Sequence, residues 1–531
     1  MSEHSGQTPG WQQPTMARSQ PSADLLAKFR SDRRRLPLHP LEKAVLAAVT
    51  VHLCFLPWAL GTMHVWSQLT SLALSAMGML LALIPRTYSG DNLPQMTADR
   101  GRNPAPNNPQ PITNNRGGSF RLTMWPRLLH FPIFWLGLAL LAYIAVQGFN
   151  PSWVWERNAT TWWLRRVNDI PWLPTSVDTP FARFDVWRQF IIYASAWLVV
   201  CTVWTGFTRR RSLQILLTGL VINAVVLASV GFFQKFAALD SYLFLMKWPV
   251  GATAFASFIY RNHAGAYFAL ITLLALALAI WTHGEGERAG RKSTPAGAFV
   301  IAALLLTTAV FFTLSRGASI ILTCTWAILV PWLWLYRRRL PASQTANPIV
   351  ALAVVGLFAA VIGGTIRYLD FSSVEQRFHS LFTNYRSPNE SVRSRVLAHA
   401  SARAMLADHW QRGVGAGGFR YLFPEYIKDK PEIYAGGHYF WEHAHCDWLE
   451  IPTDLGAAGT ILVLAAGIYW IGFFWRRRAV WHGLAAPVLL ACIQPLLHGL
   501  FDFPFQCPAL LATWCALIAI AARWLELDET R

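Results

Sequence analysis

The residues best suited to chemistry stand in one short stretch, Tyr439 to Gly459, which gathers two histidines and several carboxylates just before an apolar run resumes. His443 and His445 are separated by one residue, and Asp447 follows two residues later. A neutral imidazole is the usual side chain for orienting or deprotonating a hydroxyl near neutral pH. We therefore interpret the stretch as part of an active site in which a histidine acts on an acceptor hydroxyl.

Three other interpretations of this stretch remain open: a metal site, a cysteine nucleophile at Cys446, and packing at an interface. His443 and His445 would lie on one side only in a strand, and no second Cys or His pair has familiar ligand spacing. The sequence therefore favours a histidine base over a metal site, and no metal is expected.

Upstream, a helix is predicted from Ser391, whose side chain can cap free backbone N–H groups, to about His409. Arg395, His399 and Arg403 are spaced by four residues, which places them on one face of that helix. Guanidinium groups bind phosphate oxygens in pairs and stay charged, so this face suits a diphosphate. The alternative is the solvated side of an amphipathic helix.

The run Gly413 to Gly418 follows this helix. It lacks the preceding strand of a dinucleotide site and the Gly-Lys-Ser/Thr ending of a phosphate loop. We predict a helix stop and a tight turn here. The alternative is a nest of backbone N–H groups that binds an anion.

Two more polar groups stand at the edges of apolar runs. Arg316 lies in a turn between two such runs, and Arg261, Asn262 and His263 open another. Ionisable groups at that depth cost several kcal/mol unless they are paired, so they are candidates for function. The alternative for Arg316 and Arg261 is snorkelling to lipid headgroups.

Composition shows what must position these groups. Of 531 residues, 54% are hydrophobic and 26 are tryptophans, and runs of ~20 apolar residues match the ~30 Å core of a bilayer. The net charge of +18 falls in short clusters between these runs, which argues against nucleic-acid binding. Five of the seven cysteines lie inside apolar runs, so no disulfide framework is expected.

The sequence predicts an all-α polytopic membrane protein of about twelve transmembrane helices. The predicted spans are about 42–60, 66–85, 128–149, 188–207, 212–235, 262–282, 296–314, 317–336, 347–366, 453–475, 484–502 and 507–524. If the N-terminal tail is cytoplasmic, every cytoplasmic connection is basic, including the arginine runs that begin at Arg209, Arg337 and Arg476. This agreement favours that orientation, with both termini in the cytoplasm.

The chain divides into four expected parts. Residues 1–40 form a disordered basic cytoplasmic tail, and residues 41–366 hold spans one to nine with a disordered cytoplasmic insert at 87–124. Residues 367–452 form a large, mainly helical loop outside the membrane that carries the active-site residues, and residues 453–525 hold spans ten to twelve.

Two absences narrow the function. No Asp-x-Asp motif occurs. The sequence therefore offers no candidate residues for the metal-dependent binding of a nucleotide sugar that many glycosyltransferases use. No Asp or Glu sits at the middle of an apolar span, whereas a transporter driven by protons or sodium usually needs one. A transporter without covalent chemistry and a scaffold whose loop binds partners remain the alternatives.

These motifs, in this order, resemble the O-antigen ligase and polymerase superfamily of the bacterial cell envelope, over roughly Arg188 to Arg523. The resemblance is carried by Arg261-Asn262-His263, Ser315-Arg316-Gly317-Ala318, Ser391-Val392-x-x-Arg395, Gly413-x-Gly415-x-Gly417-x-Phe419 and His443-Ala444-His445 with Asp447. Two positions depart from the family pattern: Cys446 stands where asparagine is frequent, and Trp410 follows His409 where proline is usual.

The resemblance implies a glycosyltransferase of the bacterial inner membrane that needs no cofactor. Its donor is a glycan on undecaprenyl diphosphate at the outer leaflet, and its acceptor is a sugar hydroxyl of another glycan or of a lipid A core. Membrane lipids and chain-length regulator or flippase proteins are expected partners, and nucleic acid is not. Whether the chain is a polymerase or a ligase stays open.

The same resemblance suggests roles for the residues. We expect His445 to orient the acceptor hydroxyl in a single, inverting displacement while Arg316 and Arg395 hold the departing diphosphate. A covalent intermediate would require Glu442 or Asp447 as the nucleophile. The expected substrate-binding residues are Arg261, Asn262, His263, His399, Arg403, His443 and Asp447.

Overall fold

The structure is a computed structural model that describes residues 38–89, 119–237, 239, 241–242, 246–247, 254–291, 293–339, 356–360, 363–364, 390–430 and 441–529. It is mostly helical, with 73% helix and few strands. Residues 1–37 of the expected tail and most of the insert at 87–124 lie outside the described residues.

Fourteen helices are numbered here in chain order within the described residues. They are α1 (Pro40–Trp58), α2 (Val65–Leu83), α3 (Trp125–Leu129), α4 (Pro132–Phe149), α5 (Val186–Gly206), α6 (Arg210–Phe236), α7 (Arg261–Arg288), α8 (Ala296–Phe312), α9 (Arg316–Arg338), α10 (Glu390–His409), α11 (Phe419–Ile427), α12 (Asp447–Arg476), α13 (Ala485–His498) and α14 (Pro508–Glu529).

Nine of the helices in this part of the chain are long and apolar enough to cross a membrane, and α8 and α13 are shorter apolar helices. The predicted fold class, an all-α polytopic membrane protein, is therefore confirmed. Each predicted span except 347–366 coincides with one of these helices, and most of that span lies outside the described residues. The total number of spans stays a prediction.

Helix α7 forms the centre of the bundle. It packs against α6, α8 and α13, while α14 packs against α5. Small residues such as Ala264, Gly265 and Ala266 at the start of α7 let neighbouring helices approach closely, as helices in a bilayer require. The hydroxyl of Ser71 in α2 joins α1 to α5, because it lies 2.8 Å from Nε2 of His52 and 2.6 Å from the hydroxyl of Ser195.

One end of the bundle carries a cap made of a small sheet and two helices. The helices of the cap are α10 and α11, and its sheet consists of β3, β4 and β5. The strands of the described residues as a whole are β1 (Arg86–Ser89), β2 (Ser119–Leu122), β3 (Pro151–Arg157), β4 (Trp162–Arg166), β5 (Ser176–Asp178), β6 (Ser241–Tyr242) and β7 (Met246–Lys247). In the cap, β3 pairs with β4 in antiparallel and with β5 in parallel fashion. Trp155 and Val177 of this sheet share a buried apolar cluster with Ala398 of α10 and Phe423 of α11.

The sheet of the cap was not expected from the sequence. Its turn is fixed by Asn158, whose side-chain oxygen accepts hydrogen bonds from the backbone N–H groups of Thr160 and Thr161. Aromatic residues on either side of this turn favour strands. The described parts of the two polar intervals, residues 150–185 with residues 390–430 and 441–446, therefore fold as one unit over the same end of the bundle.

The opposite end is held by ion pairs between helix ends. Glu526 of α14 bonds to both Arg127 and Arg523. Here β1 pairs with β2 in antiparallel fashion, with Ser89 opposite Ser119, so the two ends of the interval that the sequence predicts as an insert lie side by side.

Candidate functional site

The loop before α12 places His445 at the boundary between the cap and the bundle. Its backbone is in the left-handed region, with a φ of 51°, which is uncommon for a residue other than glycine and recurs at functional sites. The imidazole packs edge-on against Trp441 and Phe503, with ring centroids 5.1 and 4.8 Å away. Nε2 of His399 in α10 donates to the main-chain oxygen of His445 over 3.0 Å. The strained loop is therefore fixed from both sides.

The carboxylate of Asp502, in the turn between α13 and α14, is the centre of the polar cluster. Oδ1 of Asp502 lies 3.7 Å from Nδ1 of His445, which is an ion-pair distance but too long for a hydrogen bond. Asn262 donates its side-chain N–H to Oδ2 of the same carboxylate. The Tyr260 hydroxyl lies 2.7 Å from this amide nitrogen and 3.4 Å from each carboxylate oxygen.

Three basic side chains keep Asp502 ionised. Burial alone would raise its pKa, but His445, His498 and Arg395 outweigh that effect and hold the pKa below its ordinary value. In the sequence, Asp502 lies four residues after His498 at the end of an apolar run, where such a polar pair more often joins two helices than performs chemistry. The signal for its location was its place at the edge of that run, the same kind of boundary at which α7 begins.

His443 is held in a defined tautomer. Its Nδ1 lies 2.7 Å from Oε1 of Glu450, and a guanidinium nitrogen of Arg420 lies 3.3 Å from its Nε2. Since Arg420 can only donate, Nε2 accepts and Nδ1 carries the proton. Burial, and next the charge of Arg420, hold the pKa of His443 well below its ordinary value. His443 stacks on Phe503 with centroids 4.4 Å apart, so it supports the site in its neutral form.

The predicted face of α10 is only partly directed at this cluster. His399 bonds to the His445 loop, and burial lowers its pKa. Arg395 is partly buried, and its charge acts on both Asp502 and Tyr260. Arg403 is exposed, about one turn beyond His399 along the helix.

Two long helices begin at the cluster. Helix α7 starts at Arg261, and Nε2 of His263, in its first turn, lies 3.2 Å from the main-chain oxygen of Phe503. Helix α9 starts at Arg316, and a Cβ added to the neighbouring Gly317 would lie 2.8 Å from Nε2 of His498. The N-terminal ends of helices favour anions. Both motifs that the sequence singled out at membrane edges are therefore brought beside Asp502 and His498.

Asp447 is directed at the protein backbone. Its Oδ2 accepts a hydrogen bond from the N–H of Phe505 over 2.9 Å, and its own N–H donates to the oxygen of Gly499 over 2.9 Å. These two hydrogen bonds hold the start of α12 against the turn that carries Asp502. Burial raises the pKa of the neighbouring Cys446 thiol, which disfavours a thiolate nucleophile.

The glycine run forms the tight turn that the sequence predicts. Gly413, Gly415 and Gly417 all have positive φ. The N–H groups of Gly417 and Phe419 donate to the carboxylate of Asp454 over 2.8 and 2.9 Å. The backbone N–H groups of this turn are thus satisfied by a side chain of α12, which connects the turn to the bundle.

The structure brings together His445, Asn262, His263, His399 and His443, with Asp502, Tyr260, Glu450 and Arg420 as members that the sequence did not assign. In the part of the chain that the structure describes, no group of three or more His, Cys, Asp or Glu side chains could hold a metal ion.

No curated protein matches the chain. The family of O-antigen ligases matches residues 301–464, a region that contains α9, α10 and the loop of His443 and His445. The chain is a multi-pass membrane protein, and the family match confirms its predicted resemblance to the O-antigen ligase and polymerase superfamily.

Proposed function

We propose that the protein transfers a glycan from an undecaprenyl-diphosphate donor to a sugar hydroxyl in the assembly of a cell-envelope polysaccharide. The observation that carries this proposal is the position of His445, a partly exposed imidazole whose Nδ1 faces the ionised carboxylate of Asp502 at 3.7 Å. An anion beside Nδ1 favours the tautomer that keeps its proton there, which leaves Nε2 free to accept one from a hydroxyl.

The reaction is a single displacement. As the acceptor oxygen forms its bond to the anomeric carbon, the acceptor O–H bond breaks and its proton passes to Nε2 of His445. The bond from the anomeric carbon to the diphosphate oxygen breaks at the same time, and the diphosphate leaves with the electron pair. Asp502 then faces an imidazolium, whose charge it stabilises. The product is inverted at the anomeric carbon.

Positive charge near the leaving group supplies the rest of the catalysis. Arg316, Arg395 and Arg261 would hold the diphosphate, whose negative charge grows in the transition state, and the starts of α7 and α9 add their dipoles. Removing one such donor typically costs ~3 kcal/mol, or about a hundredfold in rate.

The location of the cap decides whether a lipid-borne donor can reach this site. The arginine-rich ends of the helices lie opposite the cap, and basic loops favour the cytoplasm. We therefore place the cap on the outer face of the bacterial inner membrane, where donors are carried on lipids rather than on nucleotides.

The location can be tested with a membrane-impermeant maleimide on intact cells. Thr160→Cys lies in the exposed turn of the cap, and Val480→Cys lies in the turn between α12 and α13 at the opposite end. We expect labelling of the first variant only, above the background of the parent protein with its exposed Cys324. Labelling of Val480→Cys alone would refute the proposed donor.

Transfer itself is tested in proteoliposomes supplied with undecaprenyl-diphosphate oligosaccharide. We expect glycan transfer by the unaltered protein. In His445→Ala the rate should fall about 10²- to 10⁴-fold, which is the acceleration that a positioned base usually contributes. His64→Ala is the matched control, because His64 is exposed at the same end of the bundle and lies outside the site. Added acceptor glycan or lipid A core separates polymerase from ligase. Movement of the donor across the bilayer without any new glycosidic bond would instead favour a transporter.

A further inference from the structure

The cap contains a cavity of about 470 Å³ that the proposed reaction does not use. Its volume lies within the ~300–1,000 Å³ of typical ligand sites. The side chains that matter for its chemistry come from the sheet, from the segment before α5, from the first turn of α5 and from α11. They are Trp155, Trp162, Arg183, Phe184, Arg188 and Arg420.

The cavity is positively charged. Three of its lining side chains are arginines, and the one carboxylate among the lining residues is Glu442, 3.8 Å from Arg420 and largely exposed. Arg188 and Arg420 both lie over the ring of Phe184, at 4.8 and 4.5 Å from its centroid. Two guanidinium groups gathered at one ring repel each other, and an anion between them would relieve that repulsion.

The arginines are held in place mainly by neutral groups. Arg188 donates to the side-chain oxygen of Gln68 and to the main-chain oxygen of Met63, each over 3.0 Å. Arg183 lies over Trp155, 4.3 Å from the ring centroid. These contacts orient the guanidinium groups without cancelling their charge. The nearby carboxylate of Asp185 lies outside the lining, where it caps α5 through the N–H of Arg188.

Aromatic rings form the rest of the wall. Trp155 and Trp162 come from adjacent strands of the sheet, and Trp162 meets Tyr421 edge-on at 6.4 Å. Aromatic rings with a polar edge offer an apolar face and a hydrogen-bond donor, which suits a sugar ring with its C–H face and hydroxyl groups. A lone inorganic anion would need only the arginines.

Arg420 connects the cavity to the candidate active site. It lines the cavity and donates to His443, which stacks on the same Phe503 that contacts His445. We infer that the cavity binds an acidic sugar of the glycan substrate, one that carries a carboxylate or a phosphate. This inference rests on the proposed function for the identity of the substrate, while the binding itself is measurable without any transfer.

The experiment measures binding by calorimetry to the full chain in lipid nanodiscs. The probes are tetragalacturonate, the neutral maltotetraose of equal length, glucose 6-phosphate and inorganic phosphate. We expect one of the two acidic sugars to bind at least tenfold more tightly than maltotetraose and inorganic phosphate, with an affinity that falls as salt is raised. Tight binding of tetragalacturonate would identify a carboxylate as the recognised group. Tight binding of glucose 6-phosphate would identify a phosphate.

Variants assign the binding to this cavity. Arg183→Gln removes a charge-assisted contact and should weaken binding of the acidic sugar about tenfold. Trp162→Phe, which keeps an aromatic ring in the strand, should weaken it severalfold. Arg165→Gln is the matched control, since Arg165 stands on the same strand and pairs with Glu156 on the exposed surface, and it should bind as the parent does.

The outcomes separate this inference from the proposed function. Equal affinity for acidic and neutral sugars, or unchanged binding in both Arg183→Gln and Trp162→Phe, would overturn the acidic-sugar site even if the protein transfers glycan. Binding of inorganic phosphate as tight as that of the better-binding acidic sugar would overturn the role of the sugar ring. His445→Ala should retain binding of the probe, so a failure of transfer chemistry leaves this test intact.

Discussion

Nδ1 of His445 lies 3.7 Å from Oδ1 of Asp502, although the two residues are 57 positions apart in the sequence. Nδ1 is buried and has no hydrogen-bond partner among the described residues. A small rotation of the ring would close the gap to hydrogen-bond distance. Catalytic hydrogen bonds are often long in a protein without substrate and shorten when substrate binds.

The first prediction concerns this pair. Asp502→Asn keeps the shape of the side chain but removes the charge that faces the imidazole. We therefore expect the rate of glycan transfer to fall by about tenfold to a hundredfold. The measurement is initial rate against donor concentration in proteoliposomes, where the loss should appear in kcat. Asp408→Asn serves as the control, because Asp408 is exposed on α10 and bonds to Tyr426. An equal loss in both variants would mean that Asp502 has no special role.

The second prediction concerns stability against pH. The folded state holds the pKa of His443 well below 6.5 through burial and the charge of Arg420, in spite of the adjacent Glu450. Below pH ~6.5 the unfolded chain therefore binds a proton at this position that the folded chain does not, so stability falls with acidification.

From thermal unfolding at pH 7.5 and 5.5, we expect the parent protein to lose more stability on acidification than His443→Gln does, by up to ~1.4 kcal/mol per pH unit for this one group. His443→Gln lacks the titrating group and should lose less on the same acidification. The same loss in the variant and in the parent would contradict the prediction.

The third prediction tests the glycine turn. A Cβ at Gly413 would lie 2.4 Å from the main-chain oxygen of Asp454, at a φ of +72°. Gly413→Ala should therefore destabilise the protein by about 2–4 kcal/mol, through steric overlap with rigid backbone as well as strain. Gly290 has a φ of +61° with nothing within 4 Å, so Gly290→Ala measures the strain alone and should cost only about 1 kcal/mol. Equal midpoints in thermal unfolding would disprove the close approach.

The fourth prediction concerns the end of the bundle opposite the cap. Glu526→Gln leaves Arg127 and Arg523 without the carboxylate that both contact, and we expect a loss of about 2–3 kcal/mol, discounted for the partial exposure of Glu526. Glu285→Gln removes a pair with the exposed Arg288 and should cost less than ~0.5 kcal/mol. Chemical unfolding in detergent provides the comparison.

Local patterns in the sequence predicted much of this architecture. The helix predicted from Ser391 to about His409 is α10, which runs Glu390–His409. The motif at Arg261 opens α7. Hydropathy and helix-start signals are local, so a single segment contains the information needed.

The remainder depends on contacts between distant segments. Asn262 meets Asp502 across 240 positions, and no local pattern distinguishes a carboxylate at an active site from one that joins two helices. The partners of His443 were missed for a related reason: Glu450 lies one helix turn into α12, and Arg420 comes from another helix of the cap. The cap sheet was overlooked because its strands are short and rich in tryptophan and arginine.

The antiparallel pairing of β1 with β2 joins Ser89 to Ser119. The described residues on either side of the interval 90–118 therefore lie at neighbouring points. The entropy of closing a loop grows only slowly with its length, so a longer or shorter connection between Ser89 and Ser119 should leave the helices around it in position. The β1–β2 ribbon therefore makes the geometry of the site independent of the length of that connection.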